Sequence, residues 1–277
     1  MAPNKKEMKQ ERIIQVYQVL RIAVAMCFIG HGAFGIITKE IWCNYFGVFG
    51  IGRQLSYQIM PYVGSMDIIM GLIILIYPVR AIPIWLVIWG IATALCRPLS
   101  GEPFAEFVER AGNFGAPLAL LILCGFPKRF SDLFTRIHSS AIKVDADVYN
   151  KLSICLRIVV FLLLAGHGWL NIIAKKGLLD QYASLGFSDT ANVALITGIA
   201  EIAAAFFVLI KPLRSFLFAF FIWKMFSELF YPHYELFEWI ERGGSYGSIL
   251  ALWVLIEKKM PVKWVDKTLL QRQQLSN

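Results

Sequence analysis

The chain has 277 residues, of which 57% are hydrophobic, 14% aromatic and 17% charged. Soluble domains carry about 25% charged residues, so this composition favours a membrane protein with several spans. The net charge of +8 does not indicate a nucleic-acid partner, because the basic residues lie between apolar runs, where they typically mark cytoplasmic loops. No Ala-x-Ala-like cleavage site follows the polar N-terminus, so a secretory signal peptide is not expected.

Apolar stretches recur along the whole chain, at or below the ~17–25 residues that a membrane-spanning helix needs. They lie at residues 19–38, 57–77, 81–97, 112–126, 152–174, 190–210, 213–231 and 245–257. The fourth and eighth are short, and we expect the amphipathic segments before them, 104–109 and 236–241, to complete the crossing. The predicted fold is all-α, a polytopic membrane protein with eight transmembrane helices.

The two halves of the sequence resemble each other. Residues 21–32 end in Gly30-His31-Gly32 and return as residues 157–168, which end in Gly166-His167-Gly168, at an offset of 136 positions. A repeat of this length indicates a duplicated domain. Each unit has an even number of spans, so the two four-helix repeats should be parallel, related by an axis along the membrane normal. We predict a first repeat at 1–126, a cytoplasmic linker at 127–151, and a second repeat with a basic C-terminal tail at 152–277.

Lysine and arginine collect on one side of the predicted membrane. They lie in the N-terminal segment, the loop after the second span, the linker, the loop after the sixth span and the C-terminal tail. This asymmetry predicts that both termini are cytoplasmic, and we expect a bacterial plasma membrane. Within the linker, residues 132–137 are predicted to form a short interfacial helix, because their apolar and basic residues alternate between faces.

A histidine and an acid should meet at the same depth in the first repeat. His31 lies ten residues beyond Arg21, and Asp67 lies eleven residues before Pro78 on the returning helix. At ~1.5 Å per residue, both side chains sit roughly 15 Å from the cytoplasmic edge. An unpaired charge at this depth costs at least ~2.5–3.5 kcal/mol, so the two should face each other.

The second repeat should hold a larger polar cluster at the same depth. His167 and Glu201 repeat the histidine–acid pair, and Lys224 and Glu228 lie on the third helix, where the first repeat has Gly90 and Ala94. One interpretation is a ligand-binding cluster of His167, Glu201, Lys224 and Glu228, in which case this repeat carries the function. The other is a set of buried ion pairs that only fixes helix packing.

Further residues leave their own alternatives open. Arg110 and Arg242 belong to Glu-Arg motifs that begin the fourth helix of each repeat, and they either start an interfacial helix or bind an anionic headgroup or substrate. The glycines beside each histidine permit close approach of a neighbouring helix or of a planar ligand. The two histidines could also ligate a haem from both sides.

The five cysteines have no Cys-x-x-Cys spacing, which argues against a dithiol or metal site. A disulfide between Cys43 and Cys96, near the outer ends of their spans, is an option in an oxidising compartment.

The order of these motifs resembles the DoxX-like group of four-helix membrane proteins. In each repeat an arginine opens the first helix, Gly-His-Gly follows, the second helix carries an acid, and Pro-x-Arg precedes an apolar third helix. The resemblance covers residues 15–126 and 152–258. It implies a respiratory or sulfur-oxidation context, as for a subunit of a thiosulfate:quinone oxidoreductase, and it points to His31, Asp67, His167 and Glu201.

Three functions fit these patterns. The first is a redox-associated membrane protein whose histidine–acid cluster binds a quinone-like ligand. The second is a transporter or lipid-binding protein with its site at the repeat interface. The third is a scaffold or assembly factor for a membrane protein partner. Phosphate-loop, nucleotide and catalytic-serine motifs are not present in the sequence, so a soluble type of enzyme is not expected.

Overall fold

The computed structural model describes residues 5–229 and 236–256. Regular structure in these ranges is helical, which confirms the predicted all-α class. The α-helices are α1 (Lys5–Ile36), α2 (Trp42–Gly47), α3 (Arg53–Ile76), α4 (Ala81–Leu99), α5 (Ala105–Glu109), α6 (Ala111–Cys124), α7 (Ala146–Ile172), α8 (Lys176–Ser184), α9 (Thr190–Ile210), α10 (Arg214–Glu228), α11 (Leu236–Glu241) and α12 (Gly243–Leu255). The basic C-terminal segment 257–277 and residues 230–231 of the seventh predicted span lie outside the described residues.

Six helices of the described chain are long and apolar enough to cross a membrane. They are Gln10–Ile36, Arg53–Ile76, Ala81–Leu99, Ala105–Cys124, Ala146–Ile172 and Thr190–Ile210. The seventh and eighth predicted spans correspond to the shorter helices α10, with 15 residues, and α12, with 13. At 1.5 Å per residue, each covers only about 20 Å of the ~30 Å apolar core of a bilayer. The eight-span layout in two parallel repeats therefore stays a prediction.

Some predicted boundaries were wrong. Helix α1 begins at Lys5 instead of residue 19, because lysine, glutamine and glutamate are good helix formers outside an apolar run as well. The interfacial helix predicted at 132–137 is also wrong, since a 3₁₀ turn occupies Phe130–Leu133. There Asp132 accepts hydrogen bonds from the backbone N–H groups of Lys128 and Arg129, which closes a turn before a helix can extend.

The four helices α1, α6, α7 and α12 form a central bundle. Helix α12 packs against α1, and α6 packs against α7. Each central helix is also covered by one outer helix: α3 packs on α1, α9 on α7, α4 on α6 and α10 on α12. The fourth helix of each half therefore packs against the first helix of the other half. Buried side chains from all four central helices fill the core, among them Leu20, Leu120, Leu156 and Leu252.

The Gly-His-Gly segments lie where these helices come closest. A Cβ atom on Gly32 would meet the side chain of Ile68 on α3 at 2.8 Å, and one on Gly30 would meet Cα of Glu241 on α11 at 2.6 Å. In the other half, a Cβ atom on Gly166 would meet Cα of Glu109 on α5 at the same 2.6 Å. These glycines allow close helix packing on both sides of each histidine, which supports the first of the two roles considered for them.

At the linker end of the bundle, arginines cap helix C-termini. Arg80 donates from Nε and Nη2 to the carbonyls of Gly125 and Cys124, after and at the end of α6. Arg214 donates to the carbonyl of Ile256 after α12, at 2.8 Å. The last carbonyls of a helix have no partner within it, so each arginine ties a helical hairpin to the end of the fourth helix in its half.

Candidate functional site

Both predicted histidine–acid contacts are present. Nδ1 of His31 lies 2.6 Å from Oδ2 of Asp67, and Nδ1 of His167 lies 2.5 Å from Oε2 of Glu201. Both carboxylates are buried. The depth calculation was sufficient here because α1 with α3, and α7 with α9, are adjacent helices joined by close glycine contacts.

The structure also brings together the four residues of the predicted second-half cluster. Nζ of Lys224 lies 3.9 Å from Oε1 of Glu201 and 3.4 Å from Oε1 of Glu228. Oε1 of Glu228 in turn lies 4.0 Å from Nε2 of His167. All four side chains are buried. Each charge in this cluster therefore has a partner from the chain itself.

Two further residues of this cluster were not predicted from the sequence. Asn171 donates to Oε2 of Glu201 at 3.2 Å, and Tyr182 donates to the Asn171 side-chain oxygen at 2.8 Å. Asn171 follows His167 by one helical turn, so the spacing of four residues was an available signal. Tyr182 lies on α8, a short helix outside the apolar stretches, and the sequence held no indication of its position.

A charged layer joins the two halves at the end of the bundle opposite the linker. We use this name for Lys39, Glu106, Glu109, Arg110, Lys175, Glu238, Glu241 and Arg242. Arg110 contacts Glu241 at 3.2 Å, and Arg242 contacts Glu109 at 2.5 Å. Both arginines are buried. The Glu-Arg motif of each half is thus neutralised by the same motif of the other half.

The lysines of the charged layer also pair with glutamates of the other half. Nζ of Lys175, just before α8, lies 2.5 Å from Oε1 of Glu106 in the first half. Lys39, at the equivalent position after α1, pairs with Glu238 in the second half. Arg242 also reaches into the second-half cluster, where its Nε lies 3.0 Å from Oε2 of Glu228. The predicted role of Arg110 and Arg242 as anion-binding residues remains a prediction, and each is already engaged by glutamates.

In the first half, a cavity lies where the second half has its lysine and glutamate. Gly90 and Ala94 replace Lys224 and Glu228 in α4, and a cavity of about 80 Å³ lies beside His31. A side chain at position 90 is excluded, because a Cβ atom would meet the Asn113 carbonyl at 2.9 Å. Aromatic and polar side chains line the cavity, among them Trp42, Tyr45, Trp89, Thr93, Arg110 and Asn113.

Two nitrogens at this cavity have no hydrogen-bond partner among the described residues. The ring of His31 lies against that of Trp42, with centroids 4.7 Å apart and planes tilted by 33°, and it uses only Nδ1, toward Asp67. Nε1 of Trp89 is buried without an acceptor. A buried N–H group without a partner costs about 1–3 kcal/mol, so this site favours an oxygen-bearing ligand or water.

A larger polar cavity adjoins the first. It has a volume of about 340 Å³, reaches the charged layer at Lys39, Lys175 and Arg242, and shares Trp42, Tyr45, Arg97 and Arg110 with the cavity beside His31. The two cavities are therefore neighbours, one mainly aromatic and one mainly charged. The larger one lies within the range of about 300–1,000 Å³ that small-molecule sites occupy.

The haem and disulfide alternatives gain no support from this geometry. Nε2 of His167 faces Glu228 in place of an open ligand position, and only His31 of the two histidines lines the aromatic cavity. Within the described ranges, no group of three or more His, Cys, Asp or Glu side chains is arranged to hold a metal ion. Cys43 and Cys96 are both buried free thiols.

Comparison with known proteins identifies no relative of this chain. No family model matches the sequence, and searches of curated proteins and of solved structures return no similar protein. The resemblance to DoxX-like proteins rests on the sequence motifs alone.

Proposed function

We propose that this chain is an integral membrane protein that binds a quinone-like ligand in the aromatic cavity beside His31 and Asp67. The membrane location is supported by the six long apolar helices. The observation that carries the ligand proposal is Nε2 of His31, which lacks a partner in the described chain and belongs to a ring that lines the cavity. The resemblance to DoxX-like proteins, with their respiratory contexts, points the same way.

The histidine–acid pair suits a ligand that changes between carbonyl and hydroxyl forms. When Nδ1–H of His31 donates to Asp67, the neutral ring presents Nε2 as an acceptor for a hydroxyl group. The protonated ring presents Nε2–H as a donor to a carbonyl. One side chain can therefore hold both the oxidised and the reduced form of a quinone-like ring and exchange a proton with it.

The dimensions of the cavity limit what enters it. A volume of about 80 Å³ admits part of one small ring and excludes a long apolar chain. Phe49, which is 67% exposed, and Val63 also line this cavity, so an apolar tail would leave past them toward the bilayer. The ring of Trp42, which lies at 33° to that of His31, provides a planar surface for the ring of the ligand.

This proposal reverses the sequence-based expectation for the two halves. In the second half, Lys224 and Glu228 occupy the space, and the charges of the cluster satisfy one another. That arrangement suits a packing role, in which buried charges fix the positions of helices. In the first half, Ala94 lines a cavity beside an otherwise equivalent histidine–acid pair, while the backbone of α6 lies against Gly90.

Transport through the interface between the halves has less support. At this interface Gly112 on α6 packs against the backbone of Gly244 and Ser245 on α12. A Cβ atom on Gly112 would meet Cα of Ser245 at 2.9 Å. A substrate path at this position would have to separate two backbones in contact. A scaffold without a ligand is the remaining alternative, and the experiment below distinguishes it.

The test measures ligand content and ligand binding of the full-length protein. The chain is purified in mild detergent, its bound small molecules are extracted and identified by mass spectrometry, and stripped protein is titrated with a short-chain quinone. Ala94→Met should place its side chain in the cavity and weaken quinone binding at least tenfold, with little change in thermal stability. Ala203→Met makes the same change at an exposed position of α9 and serves as the matched control.

Two results would contradict the proposal. One is wild-type protein that neither retains nor binds a quinone, which would favour the scaffold alternative. The other is equal quinone affinity for Ala94→Met and Ala203→Met, which would place any bound quinone elsewhere.

A further inference from the structure

A separate cavity lies at the linker end of the bundle, far along the helices from His31. It has a volume of about 380 Å³ and lies between the end of α6 and the linker. Four basic side chains line it, those of Arg80, Arg136, His138 and Lys143, and no carboxylate of the described residues does so. We call it the basic cavity.

An apolar groove continues from the basic cavity along the outside of the bundle. This groove between α6 and α7 has a volume of about 680 Å³ and is lined mainly by apolar side chains such as Leu118, Ile154 and Ile158, with Lys151 as its one charged residue. It shares Ile122, Gly125 and Val148 with the basic cavity. Ile154 is 57% exposed and Ile158 44%, so the groove is open on the side that would face lipid.

The acids near this region lie outside the basic cavity. Asp132 accepts from the backbone N–H groups of residues 128 and 129, and Asp145 caps α7 by accepting from the N–H of Val148 at 2.8 Å. Asp147 pairs with Lys151 at 2.7 Å. Arg80 and Arg136 donate to backbone carbonyls, which orients the two guanidinium groups without a direct carboxylate partner among the described residues.

We propose that the basic cavity and the apolar groove together bind one anionic phospholipid. The phosphate of the headgroup lies among Arg136, His138 and Lys143, where guanidinium and ammonium groups are suited to it. An acyl chain lies in the groove, where it removes the apolar side chains of α6 and α7 from contact with other lipids. This inference rests on the chain spanning a membrane and on the predicted cytoplasmic position of the linker, the leaflet side on which basic pockets bind acidic headgroups. It is independent of the quinone-like ligand.

The test is a lipid titration of delipidated full-length protein followed by native mass spectrometry. Phosphatidylglycerol should bind at least tenfold more tightly than phosphatidylcholine with the same acyl chains. Each basic residue near a headgroup contributes roughly fivefold in affinity, so Arg136→Gln with Lys143→Gln should weaken phosphatidylglycerol binding about 30-fold. Both side chains are exposed, so folding should be preserved.

A matched control removes two charges outside the cavity. Lys128→Gln with Lys211→Gln changes the net charge equally, on the same predicted side of the membrane, at exposed positions that do not line the basic cavity or the groove. This variant should lose less than about threefold in affinity. Ile154→Trp narrows the groove and should weaken binding of the phospholipid but not of inorganic phosphate.

Specific outcomes overturn the proposal. Equal affinity for the two lipids excludes an anionic headgroup site. An equal loss in the control double variant shows attraction by overall charge only. A response to inorganic phosphate at the same concentrations as to lipid, with no effect of Ile154→Trp, identifies a site for free phosphate in place of lipid. If the cavity double variant fails to fold, the lipid comparison on the wild type and on Ile154→Trp decides alone.

Discussion

Neutralising Glu241 should destabilise the protein strongly, because this glutamate is the partner of a buried arginine. Oε1 of Glu241 lies 3.2 Å from Nη1 of Arg110, and both side chains are less than 10% exposed. Glu109, which lies beside Arg110 in the chain, is already engaged by Arg242 at 2.5 Å. Glu241→Gln therefore leaves the Arg110 charge without its main partner, on a side chain that is only 8% exposed.

The magnitude follows from this burial. Removing one member of a buried ion pair costs about 3–5 kcal/mol. At about 2–4 °C per kcal/mol, the Tm in detergent should fall by roughly 6–20 °C. Asp147→Asn is the matched control, because it makes the same kind of change in a pair whose side chains are about two-thirds exposed. Surface pairs of this type contribute little to stability, so the control should leave Tm nearly unchanged.

Thermal unfolding followed by intrinsic fluorescence measures the Tm of each variant and tests this prediction. The double variant Arg110→Met, Glu241→Gln removes both charges and should recover most of the lost Tm, since no charge then stays buried alone. If Glu241→Gln and Asp147→Asn have the same Tm within the scatter of the measurement, the charged layer does not stabilise the fold and the reasoning is refuted.

Three further predictions concern helix contacts, the second-half cluster and topology. Gly166→Ala should lower Tm clearly, because its Cβ would clash with the Glu109 backbone. The control Gly47→Ala should be tolerated, because no atom lies within 4 Å of the new Cβ. Equal Tm values for the two variants would show that the halves can separate slightly. Lys224→Met should reduce folded yield in size-exclusion chromatography, because Glu201 and Glu228 then lose the cation that they share, and Arg242 remains beside Glu228 only. Unchanged yield would mean that one of the two carboxylates becomes protonated at little cost. A reporter fused after Asn277 should be active on the cytoplasmic side, and activity only outside would refute the predicted orientation.

The sequence predicted most of the helices and the histidine–acid pairs. Apolar stretches identify spans because a bilayer imposes their length. The contact of His31 with Asp67 followed from a constant helical rise measured from the shared membrane edge. Both predictions depend on quantities that vary little between proteins, which explains why they agree with the described structure.

The exchange of partners between the halves could not be predicted. A duplicated sequence has the same local patterns whether Glu109 meets the arginine next to it or the equivalent arginine 133 positions later. Only the packing of α12 on α1 and of α6 on α7 decides between these options. The predicted interfacial starts of the fourth helices were therefore located, but their partners were not.

The sequence also could not predict that the first half has a cavity beside its histidine where the second half has charged side chains. From the sequence, Lys224 and Glu228 in place of Gly90 and Ala94 suggested either a ligand-binding cluster or buried ion pairs in the second half. In the structure Ala94 lines a volume beside His31, and this volume depends on how closely α4 approaches α6. Sequence alone gives the size of a side chain but not the space around it.

The charged layer also has a consequence for the order in which the chain is made. Arg110 is synthesised 131 positions before Glu241, which at about 5–20 residues per second is on the order of 10 s. During that interval Glu109 and Arg110 lack the partners that they have in the structure, Arg242 and Glu241. A buried charge is costly without its partner, so we expect this end of the first half to reach its final packing only after α11 has been made. A chain that stops before residue 236 should therefore be less stable than the full chain.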